Sequence, residues 1–291
     1  MTNRKYYCPA GAGIARLAIG AMLLLACSGA SATEVLRDLV YRKASKQELR
    51  LDIFRPENTT APCPVVLMIH SGGWIQGDKS SQEHFGLALA DIGILAIGAN
   101  YRLAPDFPYP KPVRDCQAAL KWVRQHAQDY GGDPQRIGIL GESAGAQLAS
   151  LAGLLDAKSL AGKSGKASVR AVANLLGPTD LPGWWEFEPS QLYLVPFLGG
   201  SPATKSKQYR QASPLYQVGP YAPAFLNLYG TADTLVPLSQ GTSFDAALVA
   251  VGADSMLVLM EGADHYWPPS SDFARQEKEA VLEFFRTRLN N

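Results

Sequence analysis

From residue 64 onward the chain is punctuated by short apolar runs: PVVLMIH (64–70), GILAIGANY (93–101), RIGILG (136–141), AVANLLG (171–177), AFLNLYG (224–230) and SMLVLME (255–261). Runs of this length without strict alternation suit strands covered on both faces. Most are separated by stretches whose apolar residues recur at helical spacing, at about 80–91, 111–130, 143–156, 237–252 and 272–289. Upstream, QELRLDIF (47–54) alternates apolar and polar residues, as a half-exposed strand does, and is expected to pair with 34–42. The pattern therefore predicts eight strands, mostly parallel, with helices on both faces of the sheet, an α/β architecture.

One stretch breaks the rhythm. Residues 181–222 are rich in proline and aromatics and show no clear period. So long a plain loop is rare in a compact domain unless it is functional, and it is read as a small cap or lid inserted between two strands. AGKSGKAS (161–168) reads as a flexible surface loop, and no internal repeat is present.

The N-terminus changes the domain picture. Arg4, Lys5 and Arg16 precede or open LAIGAMLLLAC, 11 apolar residues, and SGASA follows. A positive start, a short apolar core and small residues before Thr33 make a signal peptide over 1–32, cleaved after Ala32. The apolar run is too short to span a bilayer. LLAC (24–27) also resembles a lipobox, which keeps open a lipoprotein signal over 1–26 with a lipid anchor on Cys27. The expected product is an exported periplasmic or secreted protein, or a membrane-anchored lipoprotein, whose catalytic domain occupies 34–291.

Of 291 residues, 47% are hydrophobic and 18% charged, enough for a large core. The formal charge is +1, and −2 without the three basic residues of the leader, so nothing suggests a nucleic-acid surface. Outside the leader only Cys63 and Cys116 remain, at positions expected at opposite ends of the sheet, too far apart for a disulfide.

The candidate chemistry begins at GESAG (141–145), a G-x-S-x-G lying between an apolar strand and an apolar-periodic helix. Alone the motif is weak, and an ordinary turn with a capping serine would match it; in this context Ser143 reads as a nucleophile. A serine hydroxyl needs a base, and the base an orienting acid. Asp233 in GTAD (230–233) and His265 in EGADHYW (261–267) each follow a strand. The chain order Ser143, Asp233, His265 is that of an α/β-hydrolase, and all three fall at strand carboxyl ends, where ligands gather. His84 and His126 lie inside predicted helices. Asp254 would start the last strand, on the wrong side of the sheet, and Asp264 is adjacent to the histidine, so Asp233 leads as the acid.

HSGGW (70–74) then has a role. The oxyanion formed by serine attack needs backbone N–H donors already in place. Ala144 follows the nucleophile, and the loop after the third predicted strand supplies the others, with Gly72 and Gly73 allowing close approach. Trp74, Glu142, Trp184, Trp185, Val236 and Tyr266 are candidates to line the substrate pocket, although for most of the aromatic residues packing within the cap is the simpler reading.

On HSGGW, NYRLAP (100–105), GESAG, ASPL (212–215), GTADTLVP (230–237) and GADH (262–265), the chain resembles an α/β-hydrolase carboxylesterase of the hormone-sensitive-lipase and feruloyl or acetyl-xylan esterase (BD-FAE-like) type; kynurenine formamidases look similar too. The resemblance covers about residues 45–289. It implies the α/β-hydrolase fold, a Ser143–His265–Asp233 triad, oxyanion donors at Gly72, Gly73 and Ala144, and no cofactor or metal. It also implies that His70 braces its loop and that Arg102 and Asp115 tie loops together. The family loop usually reads H-G-G-G-[WF]; here Ser71 replaces the first glycine, which puts local loop geometry in question.

The expected partner is a small-molecule ester of small to medium size. Carbohydrate esters, aryl formamides and lactones are the alternatives within enzymes. A non-catalytic binding protein on the same scaffold is the alternative outside them.

Overall fold

The computed structural model of the chain describes residues 33–44, 47–57, 62–161 and 169–290. Residues 1–32, the expected leader with Cys27, and residues 162–168 lie outside the described residues.

The alternating segments form β1 (Glu34–Ala44) and β2 (Gln47–Arg55), paired antiparallel. The apolar runs become β3 (Cys63–Ile69), β4 (Leu95–Ala99), β5 (Gly132–Glu142), β6 (Ala171–Leu175), β7 (Ala224–Gly230) and β8 (Ser255–Met260). They build one eight-stranded sheet in the order β1-β2-β4-β3-β5-β6-β7-β8. β2 meets β4 antiparallel, and from β4 to β8 all neighbours are parallel. This is the α/β-hydrolase fold. β5 starts four residues before its apolar run, because Gly132 pairs with Cys63 ahead of a register shift.

The helices are α1 (Glu83–Asp91), α2 (Lys111–His126), α3 (Ala144–Leu160), α4 (Leu181–Trp185), α5 (Gln191–Leu198), α6 (Pro202–Ala212), α7 (Ser239–Ala250) and α8 (Asp272–Leu289). Strand pleating sends alternate side chains to opposite faces. Val65, Leu67 and Ile69 of β3 join one core with α2, α3 and α7, and Val66 and Met68 join another with α1 and α8. Cys63 and Cys116 are buried free thiols. Among the described residues no helix is long and apolar enough to cross a membrane.

The segment between β6 and β7 is not a plain loop but holds α4, α5, α6 and a 3-10 turn, Pro214–Gln217. Its helices hide their period for physical reasons. α5 is apolar all round, burying Leu194, Phe197 and Leu198 while Leu192 is 68% exposed, and it contains Pro196. α6 is mostly polar and is held by the buried Tyr209 and Ala212. Full burial of a ring such as Phe197 is worth about 1.5–3 kcal/mol, so a few anchors suffice to order the segment.

Candidate functional site

The site lies at the carboxyl ends of the parallel strands. β5 runs straight into α3, and Ser143 at the junction has φ +51° and ψ −119°. Such a conformation is strained for a residue with a side chain and persists only where its surroundings impose it. Here Ser143 N–H donates to Leu175 O of β6 at 2.8 Å. The turn also demands Gly145, because a Cβ there would sit 2.2 Å from Ile69 O and 2.4 Å from His70 O. The start of α3 thus presses against the backbone that leads into HSGGW. Ala144, in the first turn of α3, presents an N–H of the kind that has no intrahelical partner.

His265 Nε2 lies 3.0 Å from Ser143 Oγ, and its Nδ1 lies 2.7 Å from Asp233 Oδ2. Asp233 and His265 are both buried. The other carboxylate oxygen of Asp233 accepts the N–H groups of Leu235 at 2.8 Å and Val236 at 2.7 Å. That fixes the carboxylate and makes the hydrogen on Nδ1 the one that donates to it. Asp264 does something else: its Oδ1 accepts from Thr234 N, Thr234 Oγ1 and His265 N, and the Thr234 N–H first of all holds its pKa below the usual value. It ties the two loops together. Asp254 lies across the sheet in an ion pair with Arg288, and His84 and His126 lie on α1 and α2.

HSGGW forms a tight loop. Gly72 O accepts from Ile75 N and Gln76 N, both at 3.1 Å. Gly72 has φ +115°, and a Cβ on it would meet Gln76 O at 2.1 Å. His70 is buried, stacks on Tyr101 at 4.2 Å and bonds Ser71 O through Nδ1 at 2.8 Å. Burial pushes its pKa down, and the neutral ring braces the loop. Trp74 is fully buried; its Nε1–H donates to Gln147 Oε1 of α3 at 2.9 Å and its ring stacks on Phe197 of α5, 4.3 Å between centroids and nearly parallel. Arg102 binds Asp115 bidentately at 2.7 and 2.9 Å, holding the NYRLAP segment to α2.

A pocket of about 250 Å³, counting space open to solvent, adjoins Ser143. Gly73, Trp74, Ala144, Trp184 and Tyr266 line it with Ser143, as do Pro178, Tyr193 and Leu235. Of the expected pocket residues, Glu142, Trp185 and Val236 are not in its wall, and Gly72 is set back in the turn. The Glu142 carboxyl accepts from Gln82 Nε2 at 3.1 Å, behind the elbow. Trp185 packs edge-on against Tyr209. Val236 is fully buried and serves through its N–H to Asp233. Tyr193 was not foreseen. It sits in an all-apolar helix with no local signal, yet it lies so close to the loop that a Cβ on Gly73 would fall 2.3 Å from its ring.

Comparison with known proteins adds the family. The BD-FAE family model matches residues 51–248, which include Ser143 and Asp233 and stop short of His265. Esterase LipC of Mycobacterium tuberculosis is 31% identical over 229 residues, 74% of this chain and 56% of LipC. Isoprenylcysteine alpha-carbonyl methylesterase ICME of Arabidopsis thaliana is 30% identical over 262 residues, 86% of this chain and 61% of ICME. The chain spans about half to three fifths of the length of the curated relatives it matches. A thermophilic esterase of Thermogutta terrifontis solved with propionate bound superposes with TM-score 0.72 at 25% identity, over 88% of this chain and 94% of that one. A truncated carbohydrate esterase from gut microbiota has TM-score 0.78 at 22% identity, over 89% and 98%, a likeness of fold. With a matched span that runs from β2 through the elbow into α7, the chain belongs to the BD-FAE family of α/β-hydrolases.

Proposed function

We propose that the protein is a carboxylic ester hydrolase that works through a Ser143–His265–Asp233 triad and an acyl-enzyme intermediate. The observation that carries the reading is the unbroken hydrogen-bond chain from Asp233 through His265 to Ser143. His265 Nε2 takes the Ser143 proton as Oγ attacks the ester carbonyl. The negative charge that develops on the carbonyl oxygen meets the N–H groups of Ala144 and Gly73 and the N-terminus of α3. His265 then gives its proton to the departing alcohol. Water, deprotonated by the same imidazole, attacks the acyl-enzyme and releases the acid. Asp233 holds the ring in the required tautomer throughout.

The substrate is a small to medium ester. Trp74 and Trp184 close the pocket beside Ser143 with rigid rings, which favours short acyl groups. Tyr266, 76% exposed at the mouth, offers a ring face to a leaving group, so an acetylated sugar is the second reading. The helices between β6 and β7 act as a cap that supplies Trp184 and Tyr193.

Purified protein should hydrolyse p-nitrophenyl acetate and label with a fluorophosphonate probe, and Ser143→Ala should do neither, with kcat down by at least about 10⁴-fold. Equal rates for the two proteins would sink the mechanism. We further propose that the leader directs export. The mass of the mature N-terminus should correspond to a start at Thr33, or to a lipid-modified Cys27 in the anchored alternative; an intact Met1 on cell-envelope protein overturns both.

A further inference from the structure

The ASPL stretch (212–215) contributes no reacting group, yet it is bonded to the helix of the nucleophile. Ser213 is fully buried; its Oγ accepts from Leu181 N at 2.9 Å and donates to Tyr209 O at 2.7 Å. Leu215 N–H donates to Thr179 O at 3.0 Å. These bonds tie the start of α4 to the end of α6 and fix the backbone at Ala212. Ala212 O in turn accepts from Gln147 Nε2 at 2.6 Å.

Gln147 stands one turn after Ser143 in α3, and its N–H donates to Ser143 O at 3.2 Å. It is fully buried. While Nε2 holds the cap, Oε1 accepts from Trp74 Nε1 at 2.9 Å. An indole N–H only donates and a carbonyl oxygen only accepts, so one orientation of the amide serves both partners and the reverse serves neither.

Trp74 needs such a hold. Gly73 has φ +60° and Trp74 has φ +64°. The second of these left-handed residues carries the largest of side chains, and a residue with a side chain stays in that region only where its surroundings impose it. The stack on Phe197 fixes the plane of the ring, but a stack tolerates sliding within that plane. Ala104 N–H, donating to Trp74 O at 2.9 Å, fixes the carbonyl. The bond to Gln147 is different in kind, because it refers the ring to the helix that begins at the nucleophile. The donors assigned to the oxyanion, Gly73 and Ala144, belong to two separate elements, the loop after β3 and the start of α3. Their N–H groups have to converge on one oxygen before it becomes charged.

We propose that Gln147 is a positioning residue: its amide ties Trp74 to α3 and so sets the separation of the Gly73 and Ala144 donors, and its bond to Ala212 O keeps the amide from turning. The role rests on the esterase reading.

The experiment compares wild type, Gln147→Met, Trp74→Phe and the double variant. Gln147→Met keeps the length of the side chain and loses both bonds. Trp74→Phe keeps a ring against Phe197 and loses only the N–H. The readouts are kcat and KM for p-nitrophenyl acetate, Tm, and Ki for a trifluoromethyl ketone. Ser143 Oγ adds to the ketone carbon while its proton passes to His265, which leaves the ketone oxygen anionic between the same donors. Each single variant should lower kcat by about ten- to a hundredfold, the scale of a displaced rather than a deleted donor, with KM within about threefold, and should raise Ki by a similar factor. The double variant should lose no more than the larger single loss, since both changes cut one link. Should Gln147→Met not fold, kcat and Ki of Trp74→Phe decide. Losses that multiply in the double variant, or a lowered Tm with kcat and Ki unchanged, overturn the positioning role and leave the reaction standing. A wild type that neither hydrolyses the ester nor binds the ketone overturns the esterase reading, and this role with it.

Discussion

On one wall of the pocket, the inner, stand Gly73, Ser143 and Ala144; on the other, the outer, stand the rings of Trp184 and Tyr193. Gly73, Ser143 and Ala144 belong to turns at the ends of β3 and β5, and each turn is forced by close backbone contacts such as Gly145 against Ile69 O. Trp184 and Tyr193 come from short helices between β6 and β7, ordered by a few buried anchors. On the proposed mechanism the inner wall has almost no freedom to change without moving the oxyanion donors. The outer wall can change its side chains while the turns behind it stay in place. On the proposed mechanism the chemistry depends on main-chain atoms and the selectivity on replaceable aromatic side chains.

The sharpest way to break that division is at Gly73. Gly73→Ala places a methyl against the Tyr193 ring and strains a residue at φ +60°. It should cut kcat by about 10²–10³-fold, the usual loss for one misplaced oxyanion donor, with a smaller change in KM. If Tyr193→Ala restored full activity to Gly73→Ala, the two walls would not be separable in the way described. On the outer side, Trp184→Ala should leave acetate hydrolysis nearly as fast as before and raise the relative kcat/KM for hexanoate over acetate by about ten- to a hundredfold, as extra methylenes find room. A uniform loss across acyl lengths would show instead that Trp184 holds the inner wall in shape.

How far the sequence spoke follows the same line. The strands were legible because each is a short apolar run covered on both faces, and the long helices because each buries one stripe. β5 ran past its apolar core, since pairing of Gly132 with Cys63 extends the ladder through polar residues. The residues that now form the Asp233–His265–Ser143 chain stood out through strand-end placement and chain order. The helices between β6 and β7 were not legible, because α5 is apolar on every side and its burial is set by contacts distant in sequence, such as Phe197 on Trp74. Glu142 was a candidate for the pocket wall, but neighbouring side chains along a strand point to opposite faces, and its carboxyl meets Gln82 instead.

The stack of Trp74 on Phe197 has a kinetic meaning. It joins the oxyanion loop to α5, and Tyr109 N–H bonds Phe197 O at 2.8 Å, joining the same helix to the loop before α2. Swinging α5 aside would expose two large rings and break that bond at once. On the proposed function, substrate entry is then expected to follow rotation of rim side chains such as Tyr266, motions of picoseconds to nanoseconds, rather than a hinged lid moving over microseconds to milliseconds. An enzyme built this way should reach its steady rate without a lag and should gain nothing from an oil–water interface.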